Sequence, residues 1–207
     1  DAGRGVLSLV ESPLHGFLKK LGMAFLLNQG CFIVDTEVPL TVLGQRRLHD
    51  LDDHHVIDVC GVGEGFFAAE GEPYQDGQVA GTRGFELTHN VLRGIEVKVS
   101  RSDFRNGFVC SGCNYNYLFT PMRLVPPSAL PRGVGLIEYN KHKFSVDPRD
   151  DGTCGLRGLR VVRNPSFKRI GHQQLDNATS YMARRALGDR MGALLDDLLR
   201  SNPERCQ

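Results

Sequence analysis

The feature that most constrains this chain is the segment 92–100, where Ile95, Val97 and Val99 alternate with Glu96, Lys98 and Ser100. A period of two marks a strand with one apolar face and one polar face. Such a strand is not stable alone, so it demands pairing partners and an apolar layer over its valine face.

The flanking sequence supplies both. Ser12 followed by Pro13 is an N-cap with proline at the first helical position, and Leu14, Phe17, Leu18, Leu21 and Phe25 recur at helical spacing before Gly30, a natural stop. The β-branched segment 31–40 reads as a strand, with Pro39 placing it at an edge or an end. A polar turn over 46–53 leads to a second strand over 55–61, which contains Asp58. Residues 63–84, rich in glycine and acidic groups, read as an inserted hairpin or flap. Beyond the alternating strand come a short helical turn within 101–112 and strands over 115–120, 133–139 and 159–163, with a loop over 147–155. From His172 onward Leu175, Ala178, Met182, Met191, Leu194, Leu195 and Leu198 form a helical stripe ending before Asn202 and Pro203. This order predicts an α/β fold: a mixed central sheet flanked by helices, with a core over 1–170 and a C-terminal amphipathic helix over 171–207 that packs on the core or on a partner, including a second copy in a homodimer.

With 207 residues, 41% hydrophobic and 24% charged, the chain has material for one globular core. Its formal net charge of +1 excludes a global basic field, so any nucleic-acid contact has to come from a local patch. No apolar run approaches the roughly 20 residues of a membrane helix, and the N-terminus carries no basic-then-apolar signal, so a cytoplasmic protein is expected. Six cysteines without a secretory context are expected to be reduced thiols.

The chemistry concentrates on three residues. A spacing of two puts Glu96 and Lys98 on one strand face about 7 Å apart. Asp58, on the preceding strand, can add a second carboxylate, and two carboxylates are the hard oxygen donors that Mg²⁺ takes. A bound cation stabilises charge on a phosphodiester and lowers the pKa of an attacking water, while Lys98 holds or deprotonates that water. Taken alone, a Glu-x-Lys pair is far more often merely the solvated face of an amphipathic strand.

Together these residues resemble the PD-(D/E)xK, or restriction-endonuclease-like, superfamily, and within it the DNA-repair endonucleases of the MmcB type. The similarity covers roughly residues 10–165: Asp58 is similar to the family aspartate, Glu96 and Lys98 to its Glu-x-Lys strand, and Ser100 with Asp103 and Phe104 to a Ser-x-x-Asp-Phe continuation. Segments 117–121 and 130–137 are similar to the following strand and its proline-glycine approach. The resemblance implies a restriction-endonuclease-like core and a Mg²⁺-dependent nuclease, with Mn²⁺ as a substitute. The implied substrate is DNA, or else RNA, in repair, recombination or phage and mobile-element DNA processing. It further implies that Asp58, Glu96 and Lys98 are catalytic, that Asp58 and Glu96 bind the metal, and that Glu11 is an extra ligand. Glu37 is a weaker candidate of the same kind, and a helix N-terminus accommodates Glu11 without any such role. The alternative is a nuclease-like fold that only binds nucleic acid or a partner.

Phosphate contacts are expected from Ser100, Arg101 and Arg105 beside the site, and from Arg157, Arg160 and Arg163 in the segment 155–170, which is basic and free of acidic residues. On one continuous strand Arg157 and Arg163 would share a face and Arg160 take the other. Cys110 and Cys113 have the spacing of half a zinc site, which Cys154 with His142 or His172 would complete; no second Cys-x-x-Cys follows, and thiols in a turn are the expectation. The glycines of 61–65 lack the lysine of a phosphate loop and read as a turn.

Overall fold

The computed structural model describes residues 12–39, 56–68, 85–107, 112–150 and 154–200. Helix α1 (Pro13–Asn28) begins where the Ser12 side chain accepts the His15 N–H at 3.2 Å. It stops at Gln29 and Gly30, whose φ of 80° suits a residue without Cβ. Strands β1 (Cys31–Pro39), β2 (Val56–Ala68) and β3 (Phe85–Val97) then form an antiparallel meander.

Helix α2 (Arg101–Arg105) carries the chain over to β4 (Tyr115–Pro121), which lies parallel to β3, and β5 (Val134–Tyr139) lies parallel to β4. A small separate ribbon, β6 (Ser145–Pro148) with β7 (Cys154–Arg157), precedes β8 (Leu159–Arg163), which returns antiparallel to β5. The main sheet is thus mixed, in the order β1-β2-β3-β4-β5-β8, with the Pro39 strand at an edge as its proline requires.

Alternation assigns the two faces except at Asp58, where Ile57 and Val59, two residues apart, fall on opposite faces. Leu18, Leu21, Phe25 and Leu26 of α1 pack on Val59, Ile95, Val97, Phe119 and Ile137. Leu18 and Leu26 are completely buried, each contributing roughly 1.5–3 kcal/mol of apolar transfer. On the other face, Ala178 and Met182 of α3 (His172–Arg200) close over Val38, Ile57, Cys60, Val62, Leu92 and Cys113. A third cluster, Leu118, Val125, Leu130, Val134 and Leu136, lies under the β4–β5 connection and Phe104. The mixed sheet flanked by helices and the C-terminal helix are therefore as the sequence predicts. Among the described residues no helix is long and apolar enough to cross a membrane.

Three local expectations change. The predicted loop over 147–155 takes in the end of β6 and the start of β7, whose ribbon it therefore overlaps; the β6 residues are all exposed and so carry no apolar alternation to reveal them. The glycines of 61–65 lie within β2, where a Cβ on Gly63 would collide with the Gly30 carbonyl. Of the expected insertion over 63–84, residues up to Ala68 continue β2 and pair with the first half of β3; residues 69–84 lie outside the described residues.

Candidate functional site

The candidate site forms where β2 and β3 part. Their ladder ends at the pair Val59 and Ile95. One residue further, Asp58 Oδ2 accepts the Val97 N–H at 2.8 Å, so a side chain replaces the strand carbonyl that would have met it. That bond ties the Asp58 carboxylate to the β3 backbone. Helix α1 approaches from its own side: His15 Nε2 lies 3.6 Å from Asp58 Oδ2, and Lys19 Nζ lies 3.5 Å from Oδ1.

Glu96 falls between Ile95 and Val97, which belong to the α1-side core, so alternation sends it the other way with Lys98. Lys98 Nζ sits 3.2 Å from Glu96 Oε1 and 3.4 Å from Asp103 Oδ1. Asp103 is held in turn by α2: its N–H reaches Ser100 Oγ at 3.0 Å, and its own Oδ2 accepts the Val99 N–H at 3.1 Å. This reciprocal cap fixes the start of a five-residue helix and aims one carboxylate at Lys98.

Electrostatics divides the two site acids. Burial works to raise the Asp58 carboxyl, but His15, the Val97 N–H and Lys19 outweigh it and hold Asp58 below the usual carboxylate range. Burial and the nearby Asp58 charge push Glu96 up to about 7, against the pull of Lys98 and His15. For Lys98, burial opposes the charge, but Glu96 and Asp103 raise its pKa above the ordinary value. An ammonium stabilised in this way keeps its proton and is a hydrogen-bond donor.

Sequence reasoning missed His15 and Lys19. Both lie on the stripe that continues through Gly22 and Leu26, and Lys19 is 8% exposed. The signal was a lysine at helical spacing among core residues, where burial needs a partner. Glu37 supplies one, its Oε1 lying 2.9 Å from Lys19 Nζ. Glu37 stands opposite Asp58, between the pairs Thr36–Val59 and Val38–Ile57, and adopts φ 54°, a left-handed conformation that costs a non-glycine residue about 1–2 kcal/mol.

The other expected contacts scatter. Arg101 and Arg105 are exposed on α2 beside the cluster. The Ser100 hydroxyl is engaged in the α2 cap and with Ser102 Oγ at 2.9 Å. The segment 155–170 is not one strand: Gly158, at φ 81°, breaks it, leaving exposed Arg157 on the small ribbon and Arg160 and Arg163 on β8. Arg163 donates to the carbonyls of Val134, Pro127, Leu130 and Pro131 and so fastens the approach to β5. Glu11 and Cys110 lie outside the described residues, and Cys113 is completely buried under α3.

No known protein family matches the chain, and no curated protein is similar to it. Among solved structures, a protein of unknown function from Silicibacter pomeroyi is similar at 18% identity and a TM-score of 0.45, over 83% of this chain and 84% of that one.

Proposed function

We propose that this chain is a metal-dependent nuclease that hydrolyses phosphodiester bonds in DNA at the cluster of Asp58, Glu96 and Lys98. The observation that carries the reading is that Asp58 binds the Val97 N–H, on the residue between Glu96 and Lys98, and that Glu96 and Lys98 pair with each other where β2 and β3 separate. The donor set fits Mg²⁺, because Asp58 and Glu96 are hard oxygen donors and Glu96, pushed up to about 7 by burial and the Asp58 charge, is short of positive charge. When bound there, the cation would stabilise charge on the phosphate and lower the pKa of a water. Asp58 and Glu96 would hold it, with the Val97 carbonyl as a further oxygen.

The chain's own residues do the rest. The Val97 N–H, His15 and Lys19 keep Asp58 ionised and fixed in orientation. Lys98, kept cationic by Glu96 and Asp103, donates to the attacking water and offsets charge growing on the phosphate oxygens. Arg101 and Arg105 extend positive charge along the approach.

One observation favours a second reading, a nuclease-like fold that only binds nucleic acid or a partner: Lys19 already pairs with Asp58 and His15 lies beside it, as in a purely structural network. Incubating DNA and RNA substrates with the protein in Mg²⁺, Mn²⁺ or EDTA separates the two. Cleavage of DNA that requires metal and disappears in Glu96→Gln supports the nuclease. DNA binding without cleavage in either metal would leave the binding module.

A further inference from the structure

Lys98 heads a row of polar residues that crosses the sheet. One step beyond the last β3–β4 pair, Val97 with Phe119, brings Lys98 beside Thr120; Thr120 pairs with Glu138, and Glu138 with Arg160. Thr120 and Glu138 lie two residues beyond Leu118 and Leu136 and therefore share their face of the sheet.

Glu138 organises the far end of the row. It is 6% exposed, and a buried carboxylate needs partners for both oxygens. Oε1 accepts the backbone N–H of Arg123 at 2.9 Å, and Oε2 meets Arg160 at 3.2 Å. Arg123 is held at φ 62°, a strained conformation for a residue with a Cβ. Strain maintained by a buried carboxylate orients a side chain that would otherwise leave that conformation. Both arginines are exposed, the Arg160 side chain to 71%, so guanidinium donors remain open to a ligand beyond the one that meets Glu138.

We propose that Arg123 and Arg160, arranged around Glu138, form a phosphate subsite that holds the DNA strand beside the phosphate attacked at Lys98. The inference rests on the nuclease reading. Neighbouring strands lie about 4.8 Å apart, which puts Arg160 roughly 14 Å along the row from Lys98, beyond the reach of one phosphate. The subsite therefore takes a neighbouring phosphate of the same strand. Contacts of this kind set register and carry no base information, so the subsite binds without sequence preference.

The test is fluorescence anisotropy of the full chain with a short fluorescein-labelled DNA in EDTA, where a metal-requiring nuclease leaves the DNA intact, across a salt series. Arg123→Asn, chosen because asparagine accepts positive φ, and Arg160→Gln should each lower the slope of log K against log salt by about 0.7–0.9, and the double variant by their sum. Arg132→Gln, an exposed arginine at the opposite end of β5, should leave the slope unchanged. Wild-type slopes in the Arg123 and Arg160 variants, or an equal loss in Arg132→Gln, would overturn the subsite while leaving the nuclease reading standing. A wild-type chain that does not bind DNA at all would overturn both.

Discussion

Replacing Glu96 by glutamine should remove the loss of stability that the Glu96 carboxyl causes as pH rises from about 5 to about 8. In the folded chain the Glu96 carboxyl is raised from 4.5 to about 7, because burial and the Asp58 charge disfavour its ionised form. Below the unfolded value both states carry the proton. Between the two values the folded state keeps a proton that the unfolded state has released, so stability falls as pH rises, and the loss is complete above the folded value. At 1.36 kcal/mol per pKa unit the full effect is at most roughly 3 kcal/mol. Glutamine has nearly the same shape and no charge at any pH. Asp58 is shifted in the opposite direction, and its stabilisation is lost only as pH falls through its lowered folded pKa, outside this window. Urea unfolding in EDTA at several pH values should therefore show Glu96→Gln gaining on the wild type by about 2–3 kcal/mol from the acidic to the basic end. Adding Mg²⁺ at the basic end should stabilise the wild type more than the variant, since a cation replaces the missing proton. A stability difference that stays constant with pH would refute the electrostatic account of Glu96.

Lys98→Met should lower metal-dependent DNA cleavage by about 100-fold or more with DNA binding retained, and wild-type turnover in a folded variant would remove Lys98 from the mechanism. Its stability cost, read from urea melts, should be small at acidic pH, where Glu96 is protonated, and larger at basic pH, where Glu96 loses its nearest cation. At Glu37 the usual order of alanine above glycine should reverse: both lose the Lys19 pair, but glycine relieves the φ of 54°, so Glu37→Gly should exceed Glu37→Ala by about 1 kcal/mol. Thr120 Oγ1 is buried and has no hydrogen-bond partner among the described residues, so Thr120→Val should leave the melting midpoint unchanged or raise it, by up to about 1 kcal/mol in stability; a clear loss would reveal a partner for that hydroxyl.

The sequence alone determined the elements whose signals are local. The Ser12–Pro13 cap, the Gly30 stop, the alternation around Glu96 and the edge proline Pro39 all act within a few residues, and each reappears in the fold. Glu96 and Lys98 were legible as a pair because strand geometry alone sets their separation. Everything that depends on contacts between distant segments was decided by tertiary structure. No spacing rule reveals that Asp58 caps the Val97 N–H, that Lys19 bridges Asp58 and Glu37, or that Glu138 holds Arg123 and Arg160 across two neighbouring elements. The physical reason is that a buried charge is tolerable only beside its partners, and those partners are chosen by strand order and register, which bring residues 15 to 39 positions apart within hydrogen-bond distance. The sequence therefore named the chemical groups, while the parting of β2 from β3 decided what each of them touches.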